Sequence, residues 1–164
     1  MKPLEEIKPQ QSIELLKELH ILTRDGKINQ DSRRKLKQVY HLYQFIEPIL
    51  TEVSDDKLSF HLIDHGAGKS YLGFILYDLF IKLTKGSVTS IEINKKLVEQ
   101  AKALATKLAF DRMNFVQIEV AKSLEHIPDD IDIVTALHAC DTATDDAIHF
   151  GIQKKAKWIV VIPC

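Results

Sequence analysis

The residues best suited to chemistry lie in one short stretch, 59–72, which reads SFHLIDHGAGKSYL. An apolar run ends in Asp64, glycines follow at Gly66 and Gly68, and an apolar helical pattern resumes at Tyr71. This order predicts a strand, a tight turn and a helix that runs to about Leu83. Alternate glycines let the backbone bend sharply and approach a ligand, while the free N–H groups of a helix start attract polar or anionic groups. The stretch therefore predicts a site for a nucleotide-like cofactor.

The spacing of this turn argues against two familiar nucleotide-binding motifs. The letters GAGKS end like a P-loop, but a P-loop needs another glycine five residues before its Gly-Lys pair, where this chain has Ile63. A dinucleotide fingerprint needs a third glycine at position 71, which is Tyr71 here. What remains is an acid followed by two spaced glycines, a pattern that a plain strand-to-helix turn also explains.

A second acid lies where a ribose-binding carboxylate is expected. Residues 87–93 predict a strand that ends in Glu92, and Asn94 predicts the cap of the following helix. In βα folds an acid about 20 residues beyond the glycine turn accepts hydrogen bonds from the ribose hydroxyls. The alternative is a solvated glutamate at a strand end. The turn, the strand, the acid and the cap together favour contact between Glu92 and a cofactor.

Composition limits the class of protein. The chain has 164 residues, of which 45% are hydrophobic and 27% charged, so we expect one core, with an appendage at most. A net charge of −1 gives no general attraction to nucleic acid. Two cysteines, no long apolar run and no signal-like start argue against a disulfide scaffold, a membrane-spanning protein and secretion. We expect a cytoplasmic protein.

Residues 1–56 predict an N-terminal helical extension. One helix follows the cap residue Ser12, and a second begins near Asp31, with Pro48 expected to kink or end it. The second helix carries a basic cluster that could contact phosphates, although a charge run of this kind is usually a solvated helix face. The cluster consists of Arg33, Arg34, Lys35 and Lys37.

From residue 57 to residue 164, short apolar runs alternate with amphipathic stretches, which predicts an α/β domain with a parallel sheet flanked by helices. Further strands are predicted over 114–118, 131–137 and 157–162. Ligands of open α/β sheets bind beyond the carboxyl ends of the strands. The polar segment 138–145 should therefore face the glycine turn.

Three segments carry a resemblance to a known family. The acid and glycines of 64–68 resemble the first motif of the class I S-adenosylmethionine-dependent methyltransferases. LHACDTATD at 137–145 and Pro-Cys at 163–164 are similar to a subgroup of methyltransferase-like proteins. The resemblance covers about residues 30–164. It implies a Rossmann-like methyltransferase with sheet order 3-2-1-4-5, S-adenosylmethionine as cofactor, and RNA or a translation component as the suspected methyl acceptor.

The resemblance also implies which residues bind the cofactor. The turn would approach the methionine portion, the end of the second strand the ribose, and the end of the third strand the adenine. The implied contacts are Asp64, His65, Gly66, Ala67, Gly68, Glu92, Ile93, Glu119 and His138.

The candidate catalytic residues are His138, Cys140 and Asp141, because they follow the fourth strand. His138 could act as a general base, and Asp141 could instead cap the next helix. RNA cytosine-5 methyltransferases place cysteines where Cys140 and Cys164 fall, but this analogy is one of position only, and small buried cysteines at strand ends are the favoured explanation. These cysteines and His138 lack the CxxC spacing of a zinc site, so we predict no metal.

Two further expectations concern the whole chain. The proteins that this chain resembles continue with further strands after the position of residue 164. We therefore expect the chain to be a fragment of a longer protein and a poor catalyst. We also expect it to self-associate through the hydrophobic edge at 157–162. The main alternative to a methyltransferase is a non-catalytic cofactor-fold module that acts in RNA binding or assembly. A nicotinamide-dependent oxidoreductase is the third possibility.

Overall fold

The apolar segments of the second part of the chain form the strands of one parallel sheet. A computed structural model describes residues 6–137 and 142–162. The strand order is β3-β2-β1-β4-β5, and every pairing is parallel. The predicted α/β class and the predicted order 3-2-1-4-5 are confirmed. The strands are β1 His61–His65, β2 Ser87–Glu92, β3 Met113–Gln117, β4 Ile133–Leu137 and β5 Trp158–Ile162.

Helices precede the sheet and connect its strands. Side chains cap several of them: Ser12 accepts a hydrogen bond from the Leu15 N–H, and Asn94 accepts from the N–H groups of Lys96 and Leu97. No helix among residues 6–137 and 142–162 is long and apolar enough to cross a bilayer. The helices are α1 Ile13–Glu18, α2 Gln30–Asp56, α3 Tyr71–Leu79, α4 Lys95–Lys107, α5 Ser123–His126 and α6 Thr142–Gln153, with 3-10 turns at Ile81–Leu83 and Val120–Lys122.

Alternate residues of the strands face two helical layers. On β1, Leu62 belongs to the core that includes α2, α3 and α4, whereas Ile63 packs in a second cluster with Phe150 of α6. Both faces of the sheet are therefore covered, as parallel sheets require.

The N-terminal helices share the larger core with the sheet. Leu16 of α1 and Ile46 of α2 are fully buried in the same cluster as Leu62. A buried carboxylate adds a polar link, because Asp78 of α3 accepts a hydrogen bond from the Ser12 N–H at 2.8 Å. The division into 1–56 and 57–164 stays a prediction, although α2 does end at Asp56.

Two helix ends differ from the sequence prediction. The second helix continues through Pro48 to Asp56. The proline removes the partner of the Gln44 carbonyl, and Gln44 is exposed to water, which can replace that hydrogen bond. The helix predicted to reach about Leu83 ends at Leu79 and is followed by the 3-10 turn.

The guanidinium of Arg112 closes that turn. It donates hydrogen bonds to the carbonyl oxygens of Ile81, Lys82, Thr84 and Gly86. One side chain thereby satisfies several carbonyls that a helix end leaves without partners.

Candidate functional site

The candidate site lies where the connections of the sheet diverge. The chain leaves β1 toward β2 on one side, while β4 and β5 lie on the other side of β1. Such a switch point opens a crevice at the carboxyl ends of the strands, and ligands of α/β sheets bind there. The glycine turn follows β1 at this edge, and Ile93 and Asn94 follow β2.

The glycine turn has a backbone that other residues rarely adopt. Gly66 and Gly68 have φ angles of +66° and +56°. The Ala67 N–H donates to the Ile91 carbonyl at 2.8 Å, so the turn is anchored to the end of β2. A Cβ built on Gly68 would have no heavy atom within 4 Å. The turn is thus held firmly from one side, and at Gly68 it has room for a ligand on the other.

Glu92 connects the end of β2 to the turn. Its Oε2 accepts a hydrogen bond from the Gly68 N–H and its Oε1 accepts one from the Asn94 N–H, both at 2.8 Å. A carboxylate has about four acceptor positions, so two remain for other donors. The position and the free acceptor capacity of Glu92 fit a group with two neighbouring hydroxyls.

Asp64 lies beneath the turn. Its carboxylate accepts hydrogen bonds from the Thr135 hydroxyl at 3.2 Å and from the Gly73 N–H at 3.3 Å, and the residue is 1% exposed. Burial raises the pKa of Asp64 to about 7, although the two hydrogen bonds oppose this shift. The sequence predicted a cofactor contact for Asp64. In the structure this carboxylate joins β1, β4 and α3 and supports the turn from below.

The side chain of His65 points away from the turn. It is 1% exposed, its Nε2 lies 3.1 Å from the Ser123 hydroxyl, and its ring lies 4.8 Å from the ring of Phe150. Burial lowers the pKa of His65 to about 4. The imidazole therefore belongs to the layer of α5 and α6, and the backbone of His65 is the part that adjoins the turn.

Two further predicted cofactor contacts lie just after β2 and β3. Ile93 is 57% exposed, so its apolar side chain is accessible to a ligand. Glu119 begins the 3-10 turn after β3 and pairs with Lys122 at 2.8 Å. Both residues are accessible from the carboxyl edge of the sheet.

The candidates after β4 and β5 lie outside the described residues. These are His138, Cys140, Asp141 and Cys164, so the structure does not locate the candidate catalytic groups or the alternative metal ligands. Within residues 6–137 and 142–162, no three His, Cys, Asp or Glu side chains are grouped to hold a metal ion.

Gly73 has a role that the sequence analysis missed. A Cβ on Gly73 would lie 3.2 Å from Asp64 Oδ2 and 3.2 Å from Ser90 Oγ. The missing side chain lets α3 approach β1 and β2 closely, which is what the third glycine of a dinucleotide fingerprint provides. A glycine within an apolar helical run was the available signal.

The parallel sheet of order 3-2-1-4-5, with a glycine turn at its switch point, defines a Rossmann-like α/β domain. Residues 34–164 match the family described as "Methyltransferase domain", and the chain belongs to this family.

The curated relatives that this chain matches are much longer than the chain itself. A mouse glutathione S-transferase C-terminal domain-containing protein is 28% identical over 141 residues, and its human counterpart is 27% identical over 142 residues. Each alignment covers 86% of this chain, which spans only 20% of the length of these relatives.

Two solved structures share the fold. The precorrin-6y C5,15-methyltransferase of Geobacter metallireducens has a TM-score of 0.51 and 17% identity over 64% of this chain and 54% of its own. A Staphylococcus aureus protein, provisionally assigned as a caffeoyl-CoA O-methyltransferase, has a TM-score of 0.53 and 16% identity over 85% of this chain and 59% of its own.

Proposed function

We propose that this chain is an S-adenosylmethionine-dependent methyltransferase domain. The observation that carries the proposal is the arrangement of the Gly68 turn and the Glu92 carboxylate at the carboxyl edge of the sheet. Membership in the methyltransferase-domain family supports the reaction class. The resemblance of 64–68 to the first methyltransferase motif supports the identity of the cofactor.

Each part of the proposed cofactor has a matching part of the site. Gly66 and Gly68 leave room for the methionine portion, and Glu92 offers acceptors to the ribose hydroxyls. Ile93 and Glu119 border the position of the adenine, through an apolar surface and a carboxylate. When bound, S-adenosylmethionine supplies an activated methyl group. The contribution of the chain is then to bind and orient the two reactants and to exclude water.

The acceptor that we propose is RNA, alone or as part of the translation apparatus. The basic first half of α2 supports this choice. We also propose that the chain self-associates through residues 157–162, since β5 lies at one end of the strand order.

Titration calorimetry with S-adenosylmethionine, S-adenosylhomocysteine and NAD tests the cofactor. We expect the first two to bind and NAD to give no heat. If only NAD bound, the proposed function would change from methyltransferase to nicotinamide-dependent oxidoreductase. No heat from any of the three would favour the non-catalytic module.

A further inference from the structure

A cleft of about 680 Å³ lies beside the glycine turn. Its floor contains Leu137 and Ile162, which are the last residues of β4 and β5 and neighbours in the sheet register. Tyr71 lines it from the start of α3, directly after the turn. The cleft therefore opens at the same edge as the candidate cofactor site. A methyl acceptor must reach the cofactor from this edge, so the cleft is placed to hold one.

The walls of the cleft suit a flat ring. Phe45 of α2 is 61% exposed although it is a large aromatic residue, and its ring meets the ring of His41 edge to face at 5.0 Å. Tyr71 adds a third aromatic group. Exposed aromatic faces stack on planar heterocycles, while His41 and Lys35 offer polar contacts to the edge of such a ring.

The charge on α2 indicates which kind of molecule the bound planar ring would belong to. Between Asp31 and Glu47 the helix has four Lys or Arg residues and no acid. Asp31 pairs with Arg34 at 3.0 Å and with Lys35 at 2.8 Å, and these side chains are largely exposed. Exposed pairs of this kind are weak, so a phosphate can replace the carboxylate. Lys35 lines the aromatic cleft, whereas Arg33, Arg34 and Lys37 line the neighbouring groove of α2 with Glu6, which pairs with Arg33. The helix thus offers cations to a polyanion that extends from the cleft across α2.

We propose that the cleft holds an unpaired base of a single-stranded nucleic acid, with the neighbouring phosphates along the first half of α2. The proposal rests on the proposed methyl transfer, for which this base would be the acceptor. Aromatic stacking accepts any unpaired base, whereas a base within a duplex cannot reach such a cleft. Phosphates beside the acceptor base could contact the cations of α2, which a small uncharged aromatic acceptor could not do.

Fluorescence anisotropy of a labelled single strand of about 12 nucleotides, as RNA and as DNA, tests the cleft. Phe45→Ala should weaken binding about tenfold, because each stacked base contributes that order of affinity. The matched control is Leu83→Ala, since Leu83 is 69% exposed and precedes β2 at the opposite edge of the sheet. Equal affinities for parent and Phe45→Ala would overturn the proposal, as would a preference for the duplex.

The comparison of two lysine variants supplies a second, independent readout. Lys35 lines the cleft, whereas Lys85 is exposed and precedes β2 at the opposite edge of the sheet. Lys35→Gln should lower both the affinity and its dependence on salt, and Lys85→Gln should change neither. Identical salt dependence in the two variants would contradict phosphate contact along α2.

The same variants separate this proposal from the proposed function. Calorimetry with S-adenosylmethionine should give equal affinities for the parent and Phe45→Ala. If S-adenosylmethionine binds and Phe45→Ala keeps its affinity for the single strand, the cleft is misassigned and the cofactor site stands. If the parent binds the single strand but not the cofactor, the bound base is not a methyl acceptor and the proposed function is contradicted. Far-UV circular dichroism of each variant checks that the fold is retained.

Discussion

The Glu92 carboxylate accepts a hydrogen bond from the Gly68 N–H at 2.8 Å, although the two residues are 24 positions apart in the chain. The other oxygen of Glu92 accepts from the Asn94 N–H, directly before α4. One charged group thereby fixes the turn after β1 and the start of the helix after β2. The two halves of the candidate cofactor site are physically coupled through this carboxylate.

We expect Glu92→Ala to weaken binding of S-adenosylmethionine about 10- to 100-fold, because charged hydrogen bonds contribute about 1.5–3 kcal/mol. The readout is the rise in melting temperature that the cofactor produces, with calorimetry for the affinity. Glu99→Ala is the control, since Glu99 is an exposed glutamate of α4. An unchanged cofactor-induced stabilisation in Glu92→Ala would mean that Glu92 does not bind the ribose.

Gly68→Val should abolish cofactor binding and also lower stability. A valine at a φ of +56° costs about 1–2 kcal/mol of backbone strain. Its side chain would project toward the open side of the turn, where a Cβ meets no heavy atom within 4 Å. Urea unfolding measures the strain, and calorimetry measures the loss of binding.

Gly68→Asn separates the two effects, because asparagine tolerates positive φ better than valine does. It should regain stability while binding stays weak. If Gly68→Val keeps the affinity of the parent, the glycine pair is only a turn.

The resemblance to the methyltransferases implied the sheet order, and local signals made parts of the site predictable. The strand ending in Glu92 and the Asn94 cap depend on residue types a few positions apart, and the structure contains both. The positive φ angles of Gly66 and Gly68 agree with the predicted tight turn. These features follow from short-range geometry, which the sequence displays directly.

Features that depend on tertiary packing were not predicted. The burial of Asp64 and the close approach at Gly73 arise because α3 packs onto β1 and β2. The aromatic cleft arises because α2 passes beside Tyr71. In the sequence, Tyr71 served only to exclude a dinucleotide fingerprint, which requires glycine at that position. No local pattern reports which helix will cover which strand.

The pH dependence of stability should reveal the separate titrations of two buried groups, Asp64 and His65. The pKa of Asp64 is raised from 3.8 to about 7, so between these values the folded chain holds a proton that the unfolded chain releases. The free energy of unfolding therefore falls as pH rises across this window. For His65, with a pKa lowered from 6.5 to about 4, the unfolded chain binds more protons, and the free energy of unfolding rises with pH between 4 and 6.5. The two effects oppose each other below pH 6.5.

Asp64→Asn removes the first effect and leaves the second. Relative to the parent, this variant should gain about 2–3 kcal/mol between pH 5 and pH 8, since one pKa unit corresponds to about 1.4 kcal/mol. Urea unfolding at the two pH values measures the difference, and Asp111→Asn serves as the control because Asp111 is exposed. A difference between Asp64→Asn and the parent that is independent of pH would show that Asp64 ionises normally in the fold.

The last prediction concerns the outer edge of β5. Within the part of the chain that the structure describes, β5 pairs only with β4, and all five of its residues are half-buried and apolar. The opposite edge strand, β3, carries exposed Asn114 and Gln117, which make it a poorer partner for another chain.

Multi-angle light scattering over a concentration series should therefore show association of this chain through β5. Val161→Lys should suppress it, because a charge on an edge strand opposes pairing, provided that circular dichroism shows an intact fold. Asn114→Lys adds the same charge to β3 and should leave association unchanged. A strictly monomeric parent at high concentration, or an equal effect of the two lysine variants, would exclude the edge of β5 as the contact.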